Sequence, residues 1–368
     1  MKKISMIFLI ALLLLVGGCK KSISEDNPKD LTTSPSPTLA TTIAPAITPV
    51  LDPSATPTIG PTTEPTVTLT LEELSVEAYE KFMRNEAKIS FDRFMPNDYR
   101  EEAFYQKGSE YTLSEVLNII TAKYFEYFTD KKVDYIDYSY IDCGKDGVSE
   151  LALRFNGMNI YGEDDYSTLV YIIKYIDGIL SLCFQYETWA RSESTLNEYG
   201  YYQSGGSGGA SNHYTESGLI DKDGNWQFID SIESELDINQ LTWSDKLGQL
   251  PIVAETKGIT GGIELQTICF DHNENAANID EVGNIECYYT FYVYDENYEP
   301  LEVANLYTNS IYKEIFDEAN VPFVTPDEIS AMISEKEEKV GATAEIIEGK
   351  ELAWKLLSGS MFSDYVMK

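Results

Sequence analysis

The stretch Ile141 to Phe155, IDCGKDGVSELALRF, sets Asp142, Asp146, Gly147 and Glu150 between two apolar runs. That spacing can wrap a cation or close a tight turn. A helix-loop-helix calcium loop takes side-chain oxygens at positions 1, 3 and 5, glycine at 6, a backbone carbonyl at 7 and an acidic ligand near its end. Counted from Asp142, Asp146 falls at position 5, Gly147 at 6, Val148 at 7 and Glu150 at 9. Position 3 is Gly144, which has no side-chain oxygen; position 4 is Lys145, itself a cation; position 12 is Leu153. Asp142, Asp146, Val148 and Glu150 thus outline a weak calcium site, with a dissociation constant on the order of millimolar. The alternative is a turn in which Gly147 takes positive φ and both aspartates accept loop amides.

Other candidate chemistry is thinner. Asp271 to Asn275, DHNEN, alternates oxygen donors but has Ala276 where a calcium loop needs glycine, and it reads as a polar hairpin loop. SGGSGGASNHY contains a formal G-x-S-x-G around Ser207 with His213 nearby, yet a nucleophile elbow needs a helix after the serine, and four glycines in five residues oppose one. The stretch is expected to be a flexible or ligand-covering loop, with Tyr201, Tyr202, Ser207, His213 and Tyr214 as its contact residues. Tyr186, Trp189 and Tyr199 join them in an aromatic cluster suited to stacking on sugars, or to lining half-buried strands. The 61 Asp and Glu leave a glycosidase-type carboxylate pair open without locating it. No residue is singled out as catalytic. With no CxxC and only two His, a His/Cys zinc site is poorly supported.

The elements that must position these residues follow from periodicity. Thr70-Leu71-Glu72-Glu73 and Thr112-Leu113-Ser114-Glu115 are capping boxes. The first helix is expected to bury Leu74, Ala78, Phe82 and Met83, and the second Val116, Leu117, Ile120, Tyr124 and Phe128. From Lys132 the period changes to two, and hairpins are expected around the opening stretch, around Asp177-Gly178 and around Asp223-Gly224. Ser231 to Asn239 reads as a short helix, Ile263 to Phe270 and Ile285 to Tyr294 as strands, and Asn309 to Glu318 and Pro326 to Val340 as helices. Helices at both ends of an antiparallel, hairpin-built sheet predict an α+β fold over residues 71–368, as one domain or two closely packed subdomains.

The chain before Leu71 is of another kind. Met1-Lys2-Lys3 is basic, Ile4 to Val16 is apolar but too short to remain as a membrane span, and Val16-Gly17-Gly18-Cys19 follows. From Asn27 to Thr70 aromatics vanish, and Pro45, Pro49, Pro53, Pro57, Pro61 and Pro65 recur at every fourth residue. Such a segment lacks apolar area to bury and should form an extended spacer, at ~3.1 Å per residue reaching on the order of 100 Å.

This leader resembles the lipobox of bacterial lipoproteins, and with the Pro/Thr-rich stretch it resembles surface lipoproteins of Gram-positive, clostridia-like bacteria. The resemblance implies a signal peptide over 1–18, a diacylated (palmitate-type) Cys19 at the mature N-terminus, and a lipid-anchored place on the outer face of the cytoplasmic membrane. Two acyl chains anchor stably where one binds marginally. The opening loop is likewise similar to Asp-Gly-rich loops of the form D-x-D-G-D-G-x-x-E-L in secreted bacterial repeats; this implies Asp142, Asp146 and Glu150 as calcium ligands, with Gly144 and Lys145 departing from the pattern.

Charge narrows the partners. Of 368 residues, 27 are Lys or Arg and 61 are Asp or Glu, a net charge of −34 carried wholly by residues 71–368. A polyanion of this size repels nucleic acid. Wall glycan, peptide or another envelope protein fits better, and a non-catalytic binding or envelope domain is the expected function. The alternative is a hydrolase of wall glycan or peptide using carboxylate acid/base chemistry. The four remaining cysteines permit two disulfides or serve as buried thiols.

Overall fold

The computed structural model describes residues 69–93, 106, 108–124, 133–158, 167–244, 246–259, 261–271 and 287–357. The leader, Cys19, the Pro/Thr-rich stretch and the loop at residues 272–275 lie outside them.

Helix α1 (Leu71–Met83) opens with the reciprocal Thr70–Glu73 capping box. It buries Ser75, Tyr79, Phe82 and Met83, whereas Leu74 is left exposed. The expected face is thus rotated, because Tyr79 rather than Leu74 enters the core and its hydroxyl donates to the Ser149 carbonyl at 2.9 Å. After the short strands β1 (Ile89–Ser90) and β2 (Glu110–Tyr111), helix α2 (Leu113–Tyr124) begins with the same device: the Thr112 amide donates to Glu115 at 2.8 Å. It buries Val116, Leu117 and Ile120 as the periodicity requires.

Hairpins follow: β3 (Tyr135–Ile141) with β4 (Glu150–Asn156), and β5 (Thr168–Ile176) with β6 (Ile179–Thr188). Asp177 and Gly178 both have positive φ, 52° and 89°, as a two-residue turn matched to strand twist demands. Then come β7 (Ser192–Leu196), β8 (Tyr201–Ser207), β9 (Asn212–Ile220) and β10 (Trp226–Glu235), helix α3 (Gln249–Thr256), β11 (Ile263–Cys269) and β12 (Cys287–Val293). Helices α4 (Ile311–Glu318), α5 (Pro326–Val340) and α6 (Ala344–Ile347) and the strand β13 (Lys355–Leu356) complete the described chain. The helix expected over Ser231 to Asn239 is instead the end of β10 and a 3-10 turn, Ile238–Trp243. Ladders with β9 and β11 supply this segment with backbone partners on both sides.

The fold is α+β, built on two largely antiparallel sheets. One has the order β13-β3-β4-β5-β6-β1-β2, in which only the β1–β6 pairing is parallel, and the other β12-β11-β10-β9-β8-β7. Alternation along each strand gives each sheet two faces. Leu151, Leu153, Phe155, Leu169 and Tyr171 meet α1 and α2 on one side of the first sheet. Ile141, Ala152, Val170 and Ile172 on its other side meet Leu196, Tyr202 and Ile220 of the second, so the sheets pack face to face. Trp226 stacks on Phe184 in that layer, 4.5 Å between centroids. At the β11–β12 end, α3 and α4 close a separate core in which Phe316 stacks on Phe291. Helices α5 and α6 cover Tyr201, Leu219 and Ile229 on the outer face of the second sheet.

The last described residues bind both sheets. The Asn197 side-chain amide donates to the Ile346 carbonyl at 2.6 Å, and the Glu198 amide to the Lys350 carbonyl at 2.8 Å. Trp354 lies 4.2 Å from the Arg154 guanidinium, β13 pairs with β3, and Leu357 is buried in the core beneath α1 and α2.

Candidate functional site

A groove of ≈ 560 Å³ runs over the outer face of the second sheet, between β7–β10 and α5. Its floor follows from the register. Thr195, Gln203, Ser217 and Asp230 form one row across four strands, and Glu193, Gly205, Thr215 and Ile232 form the next. Ile333 and Glu337, one turn apart on α5, make the wall.

Asp230 is the most enclosed charge of the groove, 6% exposed. Ser217 donates a short hydrogen bond to it. Burial pushes its carboxyl up to about 6, against the Ser217 bond and with help from the negative charge of Glu337. Burial also raises Glu337, which accepts a long 3.5 Å hydrogen bond from the Tyr201 hydroxyl. Two carboxyl groups with raised affinity for protons therefore share one groove with Ser217 and Tyr201. The rim carries the exposed Glu193, Thr195 and Gln203. Such a surface suits hydroxyls, amides and amines, and disfavours anions.

The glycine-rich stretch is not the flexible loop expected. Gly205 and Gly206 lie within β8, paired to Glu193 and Ser192 on one side and Thr215 and Tyr214 on the other. Neighbouring strands override the low strand preference of glycine, and Gly205 leaves bare backbone in the groove floor. Ser207 ends the strand; its hydroxyl donates to the Gly209 carbonyl and accepts from Arg191, with a turn rather than a helix after it. The expected contact residues divide by strand alternation. Tyr201 lines the groove, and Ser207 and His213, register partners, lie on the same face farther along. Burial lowers the His213 imidazole, opposed by Glu264 and Glu235. Tyr202 points into the layer between the sheets, and the Tyr214 hydroxyl donates to Glu216 at 2.5 Å. Tyr186 is also in the inter-sheet layer, and Lys145 lies 4.9 Å above the Tyr199 ring. Of the aromatic cluster, Tyr201 alone lines the groove.

In the Asp-Gly loop each aspartate accepts a loop amide through one oxygen. Asp142 accepts from the Gly147 amide at 3.0 Å and Asp146 from the Val148 amide at 2.9 Å, while Gly144, Lys145 and Gly147 all take positive φ. Glu150, expected to face a cation beside them, is fully buried between the sheets; it accepts from the Cys143 amide at 2.7 Å and forms an ion pair with Lys174. Burial pushes Glu150 up to about 7, opposed by Lys174 and the Cys143 amide. Lys145, which the calcium pattern would set beside the ion, pairs with Glu345. Among the described residues, no group of three or more His, Cys, Asp and Glu converges to hold a metal ion. The loop also joins layers: the Asp142 and Gly144 amides donate to the Glu198 and Tyr199 carbonyls at 2.9 and 3.0 Å, and Ser149 donates to Glu72 of α1.

Sequence reasoning missed Asp230 and Glu337. One lies in a segment of weak alternation, the other on a helix where charge is everywhere, and only the topology brings them together. No helix among the described residues is long and apolar enough to cross a membrane. Comparison of the chain with protein-family models, curated proteins and solved structures finds no match in any of the three.

Proposed function

We propose that this chain is a lipid-anchored extracytoplasmic protein whose folded region binds a polar, uncharged or amine-bearing ligand, wall glycan or its peptide, without transforming it. The placement is supported by the basic leader, the short apolar run and Cys19, with the Pro/Thr-rich stretch as spacer. The observation that carries the binding reading is the groove between β7–β10 and α5, with its rows of Thr, Gln, Ser, Asp and Glu. Titration of the full-length, detergent-solubilised protein with a soluble muropeptide is expected to show saturable binding. Glu337→Gln should weaken it roughly tenfold or more, the worth of one hydrogen bond to a charged group. Absence of saturable heat, or equal affinity in Glu337→Gln, overturns the reading.

One observation favours a second reading. A carboxyl held up to about 6, in one groove with another whose proton affinity is also raised, is a group poised to give or take a proton near neutral pH. On that reading the protein releases reducing ends or free amines from the same muropeptide, and Asp230→Asn abolishes the release. Binding without turnover retains the first reading.

A further inference from the structure

Strand β12 begins at Cys287 and β11 ends at Cys269, and the two are register partners in the antiparallel ladder. Residues directly opposed in such a ladder have Cα atoms ~4.5 or ~5.5 Å apart, both within the ~4.4–6.8 Å that a disulfide spans. The side chains are already turned toward each other, with 2.7 Å between the sulfurs. Both residues are half-buried, so a reagent in solution can reach them. Cys143, by contrast, is fully enclosed.

We propose that Cys269 and Cys287 form a disulfide site, closed by exchange with an external disulfide. The Cys287 thiolate attacks one sulfur of that disulfide, whose S–S bond breaks, and the displaced thiolate takes up the proton that Cys287 lost. Cys269 then loses its proton and its sulfur attacks the mixed disulfide at Cys287, expelling the second small thiol. Two protein thiols and one external disulfide become one protein disulfide and two small thiols, and two electrons pass to the external disulfide. The order of attack follows from electrostatics. The hydrogen bond shared with Cys269, against the effect of burial and with help from the charge of Lys246, lowers the Cys287 thiol. Burial pushes the Cys183 thiol up to about 11 and holds Cys143 well above its ordinary value, so neither competes as a thiolate.

The site stands on the ladder alone, whereas its oxidation in the cell rests on the extracytoplasmic placement proposed above. The test treats the reduced full-length protein with oxidised glutathione, blocks residual thiols by alkylation and maps the peptides. The expected result is the loss of two titratable thiols and a peptide linking Cys269 to Cys287, unchanged in Cys143→Ser and Cys183→Ser. Cys269→Ser should leave a glutathione adduct on Cys287 and no internal link. Separate alkylation or separate glutathione adducts of Cys269 and Cys287 in the wild type, or a link from either to another cysteine, overturns the proposal. Protein alkylated during lysis provides the second arm. If the link forms in vitro and is missing in cells, the site stands and the extracytoplasmic placement fails.

Discussion

Asp230 contributes to stability with a sign opposite to that of most carboxylates. Its folded pKa, about 6, lies above its ordinary value of 3.8, so between those limits the folded chain binds more protons than the unfolded one. The contribution is fully present below about pH 4 and is lost as pH rises through about 6. Asn mimics the protonated acid and still accepts from Ser217. Asp230→Asn should therefore flatten the pH dependence of the urea midpoint over that window and make the protein more stable at pH 7 by ~1–3 kcal/mol. An unchanged pH profile would show that Asp230 is not held protonated. Glu150 is likewise pushed up by burial, to about 7, but it is paired with Lys174, and removing one partner leaves an uncompensated buried charge, so this acid belongs to the architecture. In the sequence both acids look alike. Their surroundings separate them, and those surroundings come from strands remote in the chain.

Element by element, what could be read early was what local chemistry decides. Capping boxes at Thr70 and Thr112 and the aspartate–glycine turns at 177–178 and 223–224 placed helices and hairpins correctly, because each is settled within a few residues. Leu74, the end of β10 and the glycine-rich strand were misread, because their conformation depends on what packs beside them. Gly218 illustrates this. Nothing nearby in sequence explains a glycine in the middle of β9, but a Cβ built there would lie 2.2 Å from the Trp226 ring. That ring is stacked on Phe184 and set edge-on to Tyr202, and it has little room to yield. Gly218→Ala should cost about 1–3 kcal/mol, the usual cost of overpacking a close-packed core. A loss of near-ultraviolet circular dichroism should accompany the lower thermal midpoint. An unshifted midpoint with native tryptophan signals would show that the indole can move.

At the scale of the whole molecule, α+β architecture was legible, whereas its division into two facing sheets was not, since alternation tells which residues share a face but not what lies opposite. The groove was hidden for the same reason: its floor comes from four strands and its wall from a helix much later in the chain. The net charge of −34 is a whole-chain property that acts on partners directly, favouring neutral or cationic ligands. The proposed anchor also acts on the whole molecule. Cys19→Ala should move the protein from the detergent phase to the aqueous phase in a Triton X-114 partition while the circular dichroism of the folded region stays unchanged. Retention of the variant in detergent would show that acylation of Cys19 is not what holds it there.

The closing segment, residues 346–357, has a consequence for timing. It carries the hydrogen bonds to Asn197 and Glu198, the ring over Arg154, the strand that covers β3 and the Leu357 side chain of the first core. A chain that emerges amino end first, from a ribosome or a translocase, presents β3 and β4 long before residues 346–357. Until they arrive, β3 is an open edge and its core lacks Leu357, so hairpins can form before the first sheet is complete. The edge of the first sheet and part of its core are thus completed by residues about two hundred positions after β3, a long-range closure of the kind that is slow relative to hairpin formation.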